Sequence, residues 1–218
     1  MRLIGVYGGT FDPIHYAHLR AAEEVAEQLA LSEVRFVPAR RPNLRGAPQA
    51  TPEQRAHMVA LAIAGNPAFV LERCELDRAG VSYTVDTLEQ FRDALQPDAA
   101  LALILGADAF ARLASWSRWE RLFELAHVAV VARPGAAIAP ERWDAALQRA
   151  WNARHAPDPA ALAQSPCGCI VAAATRLLEI SASEIRERLR RGASVRYLLP
   201  ESVLDYIRSQ SLYLAGGR

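Results

Sequence analysis

The sequence predicts an α/β fold: an open, mostly parallel sheet with helices on both faces. Three observations predict it. Short apolar runs alternate along the chain with segments of helical periodicity. The first run, residues 3–7, leads through Gly8-Gly9 into a helical segment and then a second run. Such a strand–turn–helix–strand unit implies parallel strands and a right-handed crossover. The run 101–105 contains no polar side chain, as expected of a central strand covered on both faces.

Each element follows in order. Residues 3–7 read as a buried strand ending in a glycine turn. Leu19, Ala22, Val25 and Leu29 recur at helical spacing and predict a helix over 18–30, before a strand at 33–37. Thr51, Pro52 and Gln54 form a helix start: a cap, proline at the first helical position and a capping-box glutamine. That helix should stop at Gly65, and 69–71 should be a strand. Val85, Leu88, Phe91 and Leu95 mark a helix that Thr84 would cap. After the 101–105 strand, Trp119, Leu122 and Phe123 suit a short helix. Strands at 128–132 and 169–173 follow, then a helix over 183–191 ended by Gly192. There is no internal repeat. The stretch 153–166, with three prolines, reads as a surface insertion in one domain spanning 1–218. The arrangement is Rossmann-like.

Composition limits the partners. The chain has 218 residues, 51% apolar and 22% charged, with a formal charge of +1. No global field draws in nucleic acid or a membrane surface. All 25 basic residues are arginine, so a cationic phosphate contact must come from Arg or a metal. Cys74, Cys167 and Cys169 do not make a disulfide framework, and Cys167-Gly168-Cys169 has no nearby second pair to close a zinc site. The N-terminal apolar run is too short for a signal peptide, and no stretch nears the roughly 20 apolar residues of a membrane span. The cytoplasm is the expected location. The sequence leaves the oligomeric state open, a homodimer being one option.

Two segments carry chemistry. The first is Gly8-Gly9-Thr10-Phe11-Asp12-Pro13-Ile14-His15-Tyr16-Ala17-His18. Gly8 and Gly9 let a phosphate approach the backbone, and a helix start near His18 favours an anion. His15 and His18 suit hydrogen bonding to phosphate oxygens as charge builds during transfer. The alternatives are a plain glycine turn with incidental histidines, or a metal pair with Asp12 as third ligand. The second segment is Ile180-Ser181-Ala182-Ser183-Glu184-Ile185-Arg186. Ser183 reads as the cap of an anion-binding helix start, with Arg186 on the same side. The alternative is an ordinary capped amphipathic helix.

Residues 8–18 resemble the signature of the HxGH nucleotidyltransferases, a superfamily related to class I aminoacyl-tRNA synthetases. Residues 180–186 resemble its second signature, Ile-Ser-x-[Ser/Thr]-x-Ile-Arg. The resemblance implies that Gly8, Gly9, Thr10, Phe11, His18, Asp108, Ile180, Ser181, Ser183 and Arg186 bind ATP. It also implies that His15, His18 and Arg186 are catalytic. Further pieces resemble the bacterial nicotinate-nucleotide adenylyltransferases: Phe36-Val37-Pro38 with the loop 40–45, Ser82-Tyr83-Thr84, Leu105-Gly106-Ala107-Asp108, Trp116, Arg133-Pro134-Gly135 and the end from Leu199 to Ile207. Their implied substrates are ATP, carrying Mg2+, and nicotinate mononucleotide. Their products are deamido-NAD and pyrophosphate.

The same resemblance assigns Arg45, Tyr83, Thr84, Trp116 and Arg133 to the mononucleotide, with Trp116 on the pyridine ring. It puts Asp108 on the adenosine ribose, and it implies no metal held by the protein itself. Two positions depart from the pattern: Ala17 replaces a glycine, and Leu44 replaces a histidine beside Arg45. Nicotinamide-mononucleotide and phosphopantetheine adenylyltransferases stay open, as does a non-catalytic nucleotide-binding module.

Overall fold

Six strands form one sheet in the order β3-β2-β1-β4-β5-β6. They are β1 (Leu3–Gly9), β2 (Glu33–Pro38), β3 (Phe69–Leu71), β4 (Ala100–Gly106), β5 (His127–Ala132) and β6 (Ile170–Ala174). The computed structural model describes residues 2–42, 46–95, 99–132, 138–176 and 178–214. β1 pairs in parallel with β4, β4 with β5 and β5 with β6, with Val6 opposite Leu103 and Ala102 opposite His127. The strand order reverses between β1 and β4, the place where open α/β sheets bind ligands beyond the strands' carboxyl ends.

Every strand lies within a few residues of its expected position, but β1 runs on through Gly8 and Gly9. The glycines therefore end the strand instead of making the expected tight turn. The chain turns at Phe11 and at Asp12-Pro13, where the peptide bond is cis. Helix α1 (Tyr16–Leu29) begins two residues before the expected start at His18. α2 (Pro52–Ile63) begins as expected: the Thr51 side chain accepts from the Gln54 N–H, and the Gln54 side chain accepts from the Thr51 N–H.

α3 (Cys74–Asp77) is a single turn. α4 (Thr84–Ala94) corrects the expected cap: Tyr83 is the N-cap residue, and Thr84 is already helical. α5 (Ala107–Phe110), α6 (Leu122–Leu125), α7 (Ala145–Arg154), α8 (Ala182–Arg190) and α9 (Glu201–Ser209) complete the set. α7 was not anticipated; Asp144 caps it by accepting from the Ala146 N–H at 2.8 Å. The 153–166 stretch starts in the last turn of α7 and buries Leu162. Among the described residues, no helix is long and apolar enough to cross a membrane.

The chain divides into two compact units. One comprises Met1–Gly8, Ala21–Arg35 and Tyr83–Leu177. Its core is β4 and β5 with Ile4, Val6, Val25, Leu88 and Phe91. Phe110, Trp143 and Trp151 add a cluster of edge-on rings. His127 belongs to this core: its Nδ1 accepts from the Cys169 N–H at 3.1 Å, and its Nε2 meets the Ser165 carbonyl at 2.9 Å. The other unit comprises Gly9–Arg20, Phe36–Ser82 and Leu178–Arg218. Its core gathers Phe11, Ile14, Phe36, Met58, Val59, Ile185, Val203 and Ile207. Both chemistry-bearing segments, from Gly9 to His18 and from Ile180 to Arg186, lie in this second unit.

Candidate active site

The first segment builds its site on Phe11. Its backbone is left-handed, with φ of 50°. That conformation folds the ring back over Gly9, where an added β-carbon would lie 2.8 Å from a ring atom. Any larger residue at position 9 would have to displace the Phe11 ring. At Gly8 a β-carbon would meet nothing within 4 Å, so this backbone borders open space. The Phe11 ring packs edge-on against His18, 5.2 Å between centroids, and His18 stacks on His15 at 3.8 Å.

The His15 carbonyl accepts the first helical bonds of α1, from the His18 and Leu19 N–H groups. The His15 backbone N–H points at His18 Nδ1, 3.3 Å away. Neutral His18 therefore carries its proton on Nε2. His15 is 4% exposed, and its Nδ1 is buried without a hydrogen-bond partner. Ala17 is the second residue of α1, a position where alanine is the better helix former than the glycine it replaces.

The second segment corrects the expected cap. Ser181, not Ser183, is the N-cap of α8, and its hydroxyl accepts from the Glu184 N–H at 3.1 Å. The register follows from burial, because Ile185 and Leu189 must both turn inward. Ser183 becomes the second helical residue, exposed, one turn before Arg186. Its hydroxyl accepts from Arg186 Nη2 at 3.3 Å. Arg186 Nη1 donates to the Asp12 carbonyl at 2.6 Å across 174 residues of sequence. Arg186 Nε is buried without a partner. The two segments thus meet through one guanidinium, which leaves unmade hydrogen bonds on both sides: His15 Nδ1 and Arg186 Nε. Two such atoms beside one guanidinium leave hydrogen-bonding capacity that a bound group could take up.

The electrostatics suit an anion. Burial lowers the His15 pKa to about 4. Burial, together with His15, pushes His18 well below its ordinary value. Both rings are neutral near pH 7, ready to hydrogen-bond and to gain a proton when an anion raises their basicity. The N-terminus of α1 adds a positive dipole end. Among the described residues, no group of three or more His, Cys, Asp or Glu could hold a metal ion. The reading of His15, His18 and Asp12 as a metal set is also opposed by Asp12 itself. Its carboxylate is taken by the Gln49 N–H, the Ala50 N–H and the Tyr213 hydroxyl.

Comparison with known proteins decides the family. The cytidylyltransferase-like family model matches residues 6–188. A "Probable nicotinate-nucleotide adenylyltransferase" of Dechloromonas aromatica (strain RCB) is 49% identical, covering 96% of this chain and 97% of its own. One of the same name from Halorhodospira halophila is 52% identical, covering 93% and 91%. The chain belongs to the nicotinate-nucleotide adenylyltransferase family. The fold agrees with a solved Plasmodium falciparum nicotinic acid mononucleotide adenylyltransferase complexed with NaAD. Its TM-score is 0.73 at 20% identity, over 98% of both chains.

Of the other residues that the family resemblance singled out, Asp108, Trp116, Tyr83 and Thr84 lie in the first unit. Asp108 is exposed in α5, directly after β4. Trp116 is half-buried and closes a single 3-10 turn, its N–H donating to the Leu113 carbonyl at 2.9 Å. Tyr83 is 37% exposed and opens α4 with Thr84. Arg45 and Arg133 lie outside the described residues, as does Leu44. Thr10, within the first segment, and Ile180, at the start of the second, are half-buried and lie in the second unit.

Sequence reasoning missed Arg55. Its side chain is fully buried and donates to four carbonyls: Thr10 (2.7 Å), Ala39 (2.7 Å), Arg40 (3.2 Å) and Ala50 (3.3 Å). The signal was present. Arg55 falls on the face of α2 that Val59 and Ile63 bury, and an arginine there must find partners.

Proposed function

We propose that this chain transfers the adenylyl group of ATP to nicotinate mononucleotide, giving deamido-NAD and pyrophosphate. The observation that carries this reading is Arg186, joined to both Asp12 and Ser183 while its Nε is left unpartnered. The names of the relatives support the choice of mononucleotide.

The attacking group is a phosphate oxygen of the mononucleotide. It forms a bond to the α-phosphorus of ATP, and the bond from that phosphorus to the bridging oxygen of the β-phosphate breaks. Pyrophosphate leaves with the electron pair. A phosphate with a second pKa near 6 is already ionised at neutral pH, so no general base is needed. Catalysis is then positioning and charge stabilisation. His18 donates from Nε2, His15 Nδ1 gains its missing partner, and Arg186 and the start of α1 face the triphosphate. Ser181 and Ser183 hold the start of α8 against the same phosphates.

ATP enters as its magnesium complex, in which the ion sits on phosphate oxygens and draws off charge. The donor set fits this, since the Asp12 carboxylate is already occupied by hydrogen bonds and offers no ligand. Asp108 is assigned to the adenosine ribose. Trp116, with Tyr83 and Thr84, is assigned to the pyridine ring, where an indole face suits a flat cation. Arg45 and Arg133 are assigned to the mononucleotide phosphate and the nucleotides. This reading assigns the reaction to the cytoplasm.

The test is pyrophosphate release from ATP with nicotinate mononucleotide, nicotinamide mononucleotide or phosphopantetheine in parallel. The nicotinate compound should give the highest kcat/KM. A preference for either rival reassigns the acceptor. Absence of release with all three overturns adenylyl transfer.

A further inference from the structure

Asp12 lies within the first segment yet faces the protein on almost every side. It is 5% exposed. Oδ1 accepts from the Tyr213 hydroxyl at 2.7 Å and from the Ala50 N–H at 3.1 Å. Oδ2 accepts from the Gln49 N–H at 2.9 Å and stands 3.8 Å from Arg186 Nη1. Tyr213 reaches this carboxylate across 201 residues of sequence. It is 8% exposed, and its backbone is left-handed, with φ of 62°. That conformation is unfavourable for a residue with a β-carbon, so the surroundings must hold it. Burial beside Asp12 raises the Tyr213 hydroxyl above its ordinary range, which keeps it a donor.

These contacts decide which N–H groups Arg186 offers a ligand. A carboxylate with free oxygens closes on a guanidinium in a two-point ion pair, and the pair is then a poor partner for phosphate. Here three donors compete for the Asp12 oxygens, and the closest approach of the Arg186 Nη1 to the carboxylate is 3.8 Å. Arg186 is held instead by the Asp12 carbonyl. Arg55 fixes the same turn through the Thr10 carbonyl and the 49–50 segment through the Ala50 carbonyl.

We infer that Asp12 and Tyr213 are positioning residues for ATP, acting through Arg186. Tyr213 occupies the Asp12 carboxylate, so Arg186 pairs with it at 3.8 Å without closing a two-point contact, and its N–H groups stay available to a phosphate. The tail that follows α9 thereby sets the phosphate affinity of the segment after β1. This rests on the adenylyl-transfer reading, and the two are separable by experiment.

The test is a double-mutant cycle on Tyr213→Phe and Arg186→Ala, read by calorimetric ATP affinity and by steady-state kinetics. Tyr213→Phe removes one hydroxyl. It should weaken ATP binding and raise the KM for ATP about tenfold, with the mononucleotide KM unchanged and the melting temperature within a few degrees. In the Arg186→Ala background, the same change should have no further effect on ATP affinity. Asp12→Asn is the second entry to the network, and its loss should likewise vanish in that background.

Additive losses, or unaltered ATP affinity in a folded Tyr213→Phe, overturn the inference. Failure of both Tyr213→Phe and Asp12→Asn to fold overturns it too, making the network a determinant of the fold alone. If the wild-type chain binds ATP but releases no pyrophosphate with any acceptor, the transfer reading fails while the cycle still judges the network. If it binds no ATP, both fail.

Discussion

The cluster formed by Asp12, His15, His18 and Arg186 is cross-tied, with Asp12 and His15 buried and His18 and Arg186 half-buried, whereas Tyr83, Asp108 and Trp116 sit exposed or half-buried at the ends of short elements. The first group is fixed before any ligand arrives. Phe11 supports His18, Asp12 holds Arg186, and Arg55 holds the turn itself. The second group hangs on a single helical turn, on the start of α4 and on one 3-10 turn. Phosphoryl chemistry depends on pre-placed donors, because donors already aimed need not reorganise during the reaction. A ring-binding surface need only be flat and reachable. Under the proposed reading, the cross-tied elements meet the transferring phosphate, and the open ones meet the adenosine ribose and the pyridine ring.

The largest break in that contrast should come from Arg55. Arg55→Ala leaves four carbonyls without their donor in a buried setting. Urea unfolding should show a loss of about 3 kcal/mol or more. A near-normal midpoint would mean that the turn is held by packing alone.

Acid should act next on the same cluster. His15 titrates near pH 4 in the folded chain, and His18 also lies below its ordinary value. Between those values and about 6.5, the unfolded chain binds more protons than the folded one. Stability is therefore complete above about pH 6.5 and falls as pH drops toward 4, by up to roughly 3 kcal/mol. Unfolding curves from pH 7 to 4.5 should show the decline, and His15→Gln should flatten it. A flat wild-type curve contradicts a neutral His15–His18 pair.

Trp116→Ala sharpens the other half of the contrast. It should raise the KM for the mononucleotide about tenfold, the worth of one stacked ring, with little change for ATP. An equal effect on both substrates would detach Trp116 from the pyridine ring. The smallest effect belongs to Ala17→Gly, which restores the glycine of the family pattern. It should cost about 0.5–1 kcal/mol of stability through helix propensity, seen in thermal unfolding.

What could be read from the sequence follows the same division. Strands 101–105 and 128–132 were legible because buried parallel strands are continuous apolar runs. The Thr51 start was legible because a capping box is local. His15 and His18 announced themselves within one short segment. Ser183 misled because two serines two positions apart both suit a cap, and the inward turn of Ile185 and Leu189 chose Ser181.

α7 escaped notice because only Leu147 and Trp151 mark its buried side among alanines and polar residues. The bond from Tyr213 to Asp12 spans 201 residues, and no local pattern encodes such a pairing. The four-carbonyl role of Arg55 is a backbone arrangement, visible only once the chain has folded around it.

The central claim is that the two segments joined by Arg186 hold a triphosphate while its α-phosphorus is attacked. It is tested most directly by single-turnover formation of deamido-NAD, with saturating ATP and nicotinate mononucleotide, in wild type and in His18→Ala. The predicted result is a fall of about 10²–10³-fold in a variant that keeps its fold, the usual cost of one lost transition-state donor. A folded His18→Ala chain that turns over at nearly the wild-type rate would contradict the account.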